Sequence, residues 1–362
     1  MKNPFAALLK ASRRARRVRS SAVRILRRLV PAATPKRKKA GAKSATRRSV
    51  SKQTRRPAPG SFVNGNFVGP HGSLDYMLYT PLGSARRRLP LVVMLHGCSQ
   101  SAADFATGTG MNALADELGF LVLYPQQSVS ANIGRCWNWH RPGDQERGRG
   151  EPAVVAALTL QIIENCKANP ARVYIAGISA GGAAAAIIAA AYSDLYAAVG
   201  VHSGLARGTV STLGAALSAM RNGPSGESGG TTKHPLPTII FHGDQDRVVH
   251  PSNATGFSTH LLRSSHRSIV SLTEKGRSIG GRDFTRTVYR QGLGEVLLDD
   301  WTVHGSGHAW SGGRAAGSHT DPAGPDASRA MARFFLARKR PATRPRSRQA
   351  ESASRRTISR LP

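Results

Sequence analysis

The sequence predicts an α/β fold: a mostly parallel, doubly wound sheet flanked by helices, with a basic extension at each end. Three observations lead there. Residues 89–95, 120–124 and 238–241 are short continuous apolar runs of the length expected for strands buried on both faces. Stretches with helical propensity alternate with them, and parallel neighbours need such crossovers. Finally, residues 171–190, ARVYIAGISAGGAAAAIIAA, read as a strand that turns abruptly into an Ala-rich helix with Ser179 at the corner.

The 362 residues carry 52 Lys/Arg, 20 Asp/Glu and a formal charge of +32, a balance that on its face suggests a nucleic-acid binder. Its distribution says otherwise. Residues 1–57 hold 20 Lys/Arg and no acid, and residues 338–362 hold nine Lys/Arg against the single acid Glu351. The middle is nearly neutral, so fold and electrostatic attachment are separate questions. Three segments follow: a basic, amphipathic or disordered extension and linker over 1–60, one α/β domain over 61–337, and a basic disordered tail over 338–362.

Within the extension Leu8, Ala11, Ala15, Val18, Ala22, Ile25 and Leu29 recur at helical spacing among arginines. They suggest either a solvated basic arm or a helix lying on an anionic lipid, storage-granule or nucleic-acid surface. Pro31 would end it, and the Lys/Arg/Ser/Ala/Pro-rich stretch 31–59 reads as a linker. No secretory h-region and no run of 18 apolar residues stands out, so no transmembrane segment is expected.

Residues 61–79 alternate in a strand-like way around Asn64-Gly65, a turn signal, and predict an edge hairpin. After the buried run 89–95, residues 103–118 suit one helix, 120–124 a strand, 128–150 a long loop containing Cys136-Trp137-Asn138-Trp139, and 151–166 a helix. Loops of that length are commonly functional; the two tryptophans either offer flat apolar surface to a substrate chain or pin the loop to the core, the latter being the expected role of one of them. Beyond residue 190 the sequence predicts strands at 197–202, 238–241 and 295–303. Between the first two lies a Gly/Ser-rich stretch, 206–233, with no clear element, a candidate cover for the cleft. Asp326 and Ser328 would cap a final helix whose Phe334, Phe335 and Leu336 face the core.

The chemistry-bearing residues fall at strand ends, where doubly wound sheets place their sites. Gly177-Ile178-Ser179-Ala180-Gly181 is a G-x-S-x-G elbow, whose small residues let a strained turn hold a serine hydroxyl clear of the backbone. The N–H groups of Ala180 and of Cys98, in the turn His96-Gly97-Cys98, would form a two-donor oxyanion hole. A serine nucleophile also needs an acid and a base, in the chain order Ser, Asp, His. Two aspartates compete after the strand 238–241. Asp246 is the choice, because H-G-x-x-D-x-x-V lets the strand stop at Gly243 and the acid reach back, leaving Asp244 as turn former or loop partner. In the glycine-flanked loop 304–313, His308 is the expected base and the strand-adjacent His304 the alternative.

With these residues assembled the chain resembles the poly(3-hydroxybutyrate) depolymerase family of α/β-hydrolase esterases. The resemblance rests on LHGCSQ at 95–100, CWNW at 136–139, RVYIAGISAGGA at 172–183, HGDQDRVVHPSN at 242–253 and HGSGHAWSGG at 304–313, and it covers roughly 61–337. It implies Ser179, Asp246 and His308 as a catalytic triad, an oxyanion hole at Cys98 and Ala180, and hydrolysis of hydroxyalkanoate polymers or oligomers through an acyl-enzyme, with no metal or cofactor. Trp139 and Trp310 are the expected substrate-binding residues. Relatives in the same broad group cleave short-chain, acetyl or feruloyl esters, which stay as alternative substrates. Secreted members that digest crystalline polymer usually add a linker and a binding domain. Lacking those and an evident signal, this chain is expected in the cytoplasm at storage granules, with an extracellular location as the alternative. Cys98 and Cys136 sit in motifs that converge on the cleft. They would pair as a disulfide in an oxidising setting and stay thiols in a reducing one. The non-enzymatic alternative is a hydrolase scaffold whose basic ends bind nucleic acid non-specifically or a granule surface. No sequence-specific reading motif supports it.

Overall fold

A computed structural model of the chain describes residues 60–341 apart from 84–87, 209, 211, 225–235, 265–267 and 293. The basic segments 1–59 and 342–362, and the expectations placed on them, lie outside the described residues.

Ten strands form one sheet in the order β1-β2-β4-β3-β5-β6-β7-β10-β9-β8. The parallel centre consists of β4 (Leu121–Gln126), β3 (Leu91–Leu95), β5 (Val173–Ile178), β6 (Ala198–His202), β7 (Thr238–Gly243) and β10 (Val296–Val303). Antiparallel strands extend both sides: β1 (Ser61–Gly69) and β2 (Gly72–Thr80) beyond β4, β9 (Asp283–Gln291) and β8 (Ile269–Arg277) beyond β10. A two-stranded parallel pair, β11 (Trp310–Ser311) and β12 (Thr320–Asp321), closes the C-terminal loops.

Strand alternation sorts the core into two layers. Leu91, Val93 and Leu95 share one apolar cluster with α3 (Gly150–Asn165) and α4 (Ala180–Ala191). Val92 and Met94 point the other way, to α1 (Ala102–Thr109), α2 (Met111–Leu118) and the closing helix α7 (Ala327–Leu336). Two further helices, α5 (Leu213–Asn222) and α6 (Thr255–Ser264), flank the late strands. Among the described residues no helix is long and apolar enough to cross a membrane.

Four local expectations are corrected. Asn64-Gly65 lies inside β1, paired with Met77 and Tyr76, and the chain turns instead at Pro70-His71. The Gly65 site has no room for a Cβ because the Tyr76 ring fills it, so the glycine serves packing rather than turning. The single helix over 103–118 is two helices broken at Gly110, whose left-handed φ of 64° ends α1 as its N–H caps Ala106 O. Asp326 caps α7 by accepting the Arg329 N–H, but Ser328 does not: its hydroxyl donates to Thr109 O. Finally, the stretch 206–233 contains α5.

Candidate active site

The elbow begins with buried β5, which delivers Ser179 to the C-terminal edge of the sheet beside Gly177 and Leu95 of β3. Ser179 sits at φ 58° and ψ −123°, a costly conformation for a residue with a side chain. It is held on both sides: its N–H donates to His202 O at 2.9 Å and its carbonyl accepts the Ala183 N–H at 3.0 Å. Gly177 and Gly181 allow this because a Cβ on either would collide with backbone; at Gly181 the collision is with the Leu95 and His96 carbonyls. The turn thereby lies against the end of β3, and α4 begins directly behind the serine with its N-terminal dipole end aimed at the cleft.

After β7, the turn residue Asp246 is buried and heavily hydrogen-bonded. Its Oδ1 accepts the Val248 and Val249 N–H groups at 2.9 Å each, and its Oδ2 accepts His308 Nδ1–H at 2.7 Å. His242 Nε2 stands 3.4 Å from the same Oδ2 while donating to Val249 O at 2.9 Å. Burial alone would raise the Asp246 carboxyl. The adjacent His308 charge and the hydrogen bonds from His242 and His308 outweigh it and hold the group well below the usual carboxylate range. His308 is brought close because Gly243 has no side chain: the 306–307 backbone occupies the space a Cβ would need, and Gln245 N–H donates to Ser306 O.

The competing residues pair with each other. His304 Nδ1 lies 2.9 Å from Asp244 Oδ2, Asp244 Oδ1 accepts Gly305 N–H at 2.7 Å, and His304 Nε2 reaches Thr285 Oγ1 at 2.8 Å. This partly exposed pair ties the turn after β7 to the loop after β10, and neither residue joins the Asp246–His308 pair.

The turn at residues 96–99 after β3 is braced from several directions. Gly97 N–H is occupied by Gln100 Oε1, and Ser99 N–H by Gly134 O. Cys98 and Cys136 are joined by a disulfide that ties the turn to the long loop. His96 bonds Gly97 O through Nδ1 and accepts Gln127 N–H at Nε2. Burial lowers this imidazole to about 4, which keeps it neutral, and the Gly97 carbonyl at Nδ1 and the Gln127 N–H at Nε2 place its proton on Nδ1.

His202 joins the elbow to the loop of residue 308. Its carbonyl receives Ser179 N–H, while its Nε2 accepts Ser311 N–H at 2.9 Å. Burial first, then the neighbouring His242 and His308, lower it to about 3, so it too is neutral. Sequence reasoning did not assign roles to His96, His202 and His242. The available signal was that each directly ends, or immediately follows, an apolar strand. Among the described residues no group of three His, Cys, Asp or Glu side chains is arranged to hold a metal ion.

The expected substrate-binding tryptophans are corrected. Trp310 is 1% exposed, stacks on His202, meets Phe105 edge-on and donates Nε1–H to Ser328 Oγ. Trp139 is 3% exposed and belongs to the core, as does Trp137, whose Nε1–H bonds His96 O. Trp139 and Trp310, so enclosed, pin loops in place rather than present a face to a ligand.

A family model described as esterase PHB depolymerase matches residues 74–281. Poly(3-hydroxyalkanoate) depolymerase C of Paucimonas lemoignei is 33% identical over 263 residues, which is 67% of this chain and 60% of that protein's length. Feruloyl esterase B of Thermothelomyces thermophilus is 26% identical over 237 residues, 60% of this chain and 78% of its own. Among solved structures, an acetyl xylan esterase from Aspergillus awamori superposes with a TM-score of 0.55 at 20% identity, covering 69% of this chain and 94% of that one, a likeness of fold.

Proposed function

Because this chain belongs to the esterase PHB depolymerase family, we propose that it is a serine ester hydrolase acting on hydroxyalkanoate esters, with Ser179, Asp246 and His308 as its triad. The observation that carries the reading is the 2.7 Å bond from His308 Nδ1 to an ionised, buried Asp246, at the sheet end that also presents the strained Ser179. With Nδ1 donating to the carboxylate, His308 Nε2 is left as the base.

In this mechanism His308 takes the Ser179 proton as the oxygen attacks the ester carbonyl, and Asp246 stabilises the imidazolium. The Cys98 and Ala180 N–H groups receive the oxyanion, supported by the dipole of α4. Collapse releases the alcohol with the proton from His308, leaving an acyl-Ser179 that water, activated by the same imidazole, hydrolyses. Every proton is carried by side chains of this chain.

The acyl group is read as an aliphatic hydroxyacid. The Paucimonas relative is a poly(3-hydroxyalkanoate) depolymerase, and the burial of Trp139 and Trp310 removes the aromatic faces that would stack a feruloyl ring. The Cys98–Cys136 bond favours the oxidising, extracellular alternative over the cytoplasm. The basic ends are read as an electrostatic attachment to a polymer or granule surface. Turnover of hydroxybutyrate oligomers, p-nitrophenyl butyrate and methyl ferulate, with Ser179→Ala as control, tests the reading. Oligomer and butyrate cleavage that exceeds ferulate cleavage and disappears in S179A supports it; preference for ferulate moves the substrate.

A further inference from the structure

The long loop 127–149 ends at α3, and the first turn of that helix carries Glu151, a carboxylate the triad does not use. Its Oε1 accepts Gln127 Nε2–H at 2.5 Å and Asn138 Nδ2–H at 2.6 Å, and its Oε2 accepts the Asn138 backbone N–H at 2.7 Å. Both partners lead to the oxyanion turn. Gln127 also donates Nε2–H to Cys136 O and its backbone N–H to His96 Nε2. Asn138 follows Trp137, whose indole holds His96 O, and Cys136 is bonded to Cys98 itself. Through Gln127, Cys136 and Trp137 the carboxylate of Glu151 is thus linked to residues 96–98.

We propose that Glu151 is a positioning residue for the esterase reaction: its ionised carboxylate clamps Gln127 and Asn138 and so sets the Cys98 N–H at the oxyanion. The inference rests on the serine-hydrolase reading above and adds a residue to it.

A carboxylate suits this place because all three groups facing it are donors. Protonation would put an O–H against one of them; with Oε1 taking two bonds, the Asn138 N–H facing Oε2 loses its acceptor. Glu151 is partly buried at the wall of a cavity of about 270 Å3 that His71, Gln127, Asn138, Arg141 and Asp144 also line, so protons reach it from solvent. Desolvation, then the Asp144 charge, push its carboxyl up to about 7 against the bonds from Asn138 and Gln127. His71 from the β1–β2 turn, Arg141 from the loop and the N-terminal dipole of α3 also face this space, and His96 adjoins Gln127 but is neutral. The clamp therefore closes as pH rises through neutrality. Asp144 Oδ1 accepts the Glu151 N–H at 2.7 Å, a bond that the amide oxygen of an Asp144→Asn variant would retain without the charge.

The test is kcat and KM for p-nitrophenyl butyrate from pH 5.5 to 8.5 in the wild type, Glu151→Gln, Asp144→Asn and Ser179→Ala, with thermal unfolding of each. Glu151→Gln imitates the protonated state. It should lower kcat at pH 8 on the order of tenfold, with KM within about twofold and the unfolding temperature maintained. Asp144→Asn should keep kcat at pH 8 and move the acid limb down, raising kcat at pH 6 by roughly threefold over the wild type. The wild type, Glu151→Gln and Asp144→Asn share the same triad, so the displacement between their profiles isolates Glu151. Wild-type kcat in Glu151→Gln, or an Asp144→Asn profile that superposes on the wild type, would overturn the proposal. If Glu151→Gln fails to fold, the Asp144→Asn profile decides alone. Turnover surviving in Ser179→Ala would overturn the serine reading itself.

Discussion

Breaking the Cys98–Cys136 bond, by reduction or by the double substitution to Ala, should destabilise the domain strongly and slow the reaction moderately. The bond joins residues 38 apart in sequence. The chain-entropy relation for a loop of that length gives a loss of about 4 kcal/mol at 25 °C, which lowers the unfolding temperature of a domain this size by roughly 7 °C. The oxyanion turn would loosen rather than disappear. Gly97 N–H keeps Gln100, Ser99 N–H keeps Gly134 O, and Trp137 keeps His96 O. A kcat decrease of about tenfold is expected, less than the loss of a whole oxyanion donor. Calorimetric unfolding with and without reductant, alongside turnover of p-nitrophenyl butyrate, reads both effects. Cys166, the free thiol, serves as control: its replacement by Ala should leave kcat unchanged. Thiol titration of the unreduced, denatured protein should count one. Three thiols, or equal unfolding temperatures with and without reductant, would refute the reasoning.

The other predictions concern the two His–Asp pairs and Glu151. Asp246→Asn should lower kcat by about 10³–10⁴, because the amide would impose the wrong His308 tautomer, whereas Asp244→Asn should cost less than about tenfold since that pair joins loops. The reverse ranking in steady-state assays would move the acid. For Glu151 the stability effect has the opposite sign to the activity effect. Its folded value of about 7 lies above the unfolded one near 4.5, so the folded state binds the proton more tightly. That contribution is full below about pH 4.5 and is lost as pH rises through 7, amounting to about 3 kcal/mol. Urea unfolding at pH 5 and 8 should therefore show wild-type stability falling with pH relative to Glu151→Gln by up to that amount. A constant difference would contradict the sign.

Much of the parallel centre was legible because its strands are buried on both faces, and runs such as 89–95 admit few other readings. The antiparallel end was not. Val270 and Leu272 of β8 are exposed on an edge, and the strand carries neither a continuous apolar run nor alternation, so β8 and β9 left no usable pattern. Gly110 escaped notice because α1 and α2 bury their apolar residues in one layer, and the periodicity runs through the break. In the site, chain order and glycine spacing point to Ser179, Asp246 and His308, of which the structure bonds Asp246 and His308 to each other. Sequence could not reveal how His202 reaches Ser311 or how Glu151 gathers Gln127 and Asn138, since those contacts depend on the fold bringing distant loops together. The tryptophans misled for a related reason: an indole in a glycine-rich loop has the same sequence appearance whether it faces a ligand or, as Trp310 does, the core.

Everything in the proposed reaction turns on Ser179 being the nucleophile that His308 activates. A fluorophosphonate probe added to the folded protein and followed by peptide mass mapping tests it most directly. One adduct per chain is expected on the peptide containing Ser179, together with loss of esterase activity, and none in Ser179→Ala or after denaturation. Labelling elsewhere with activity lost, or full activity in Ser179→Ala, would contradict it.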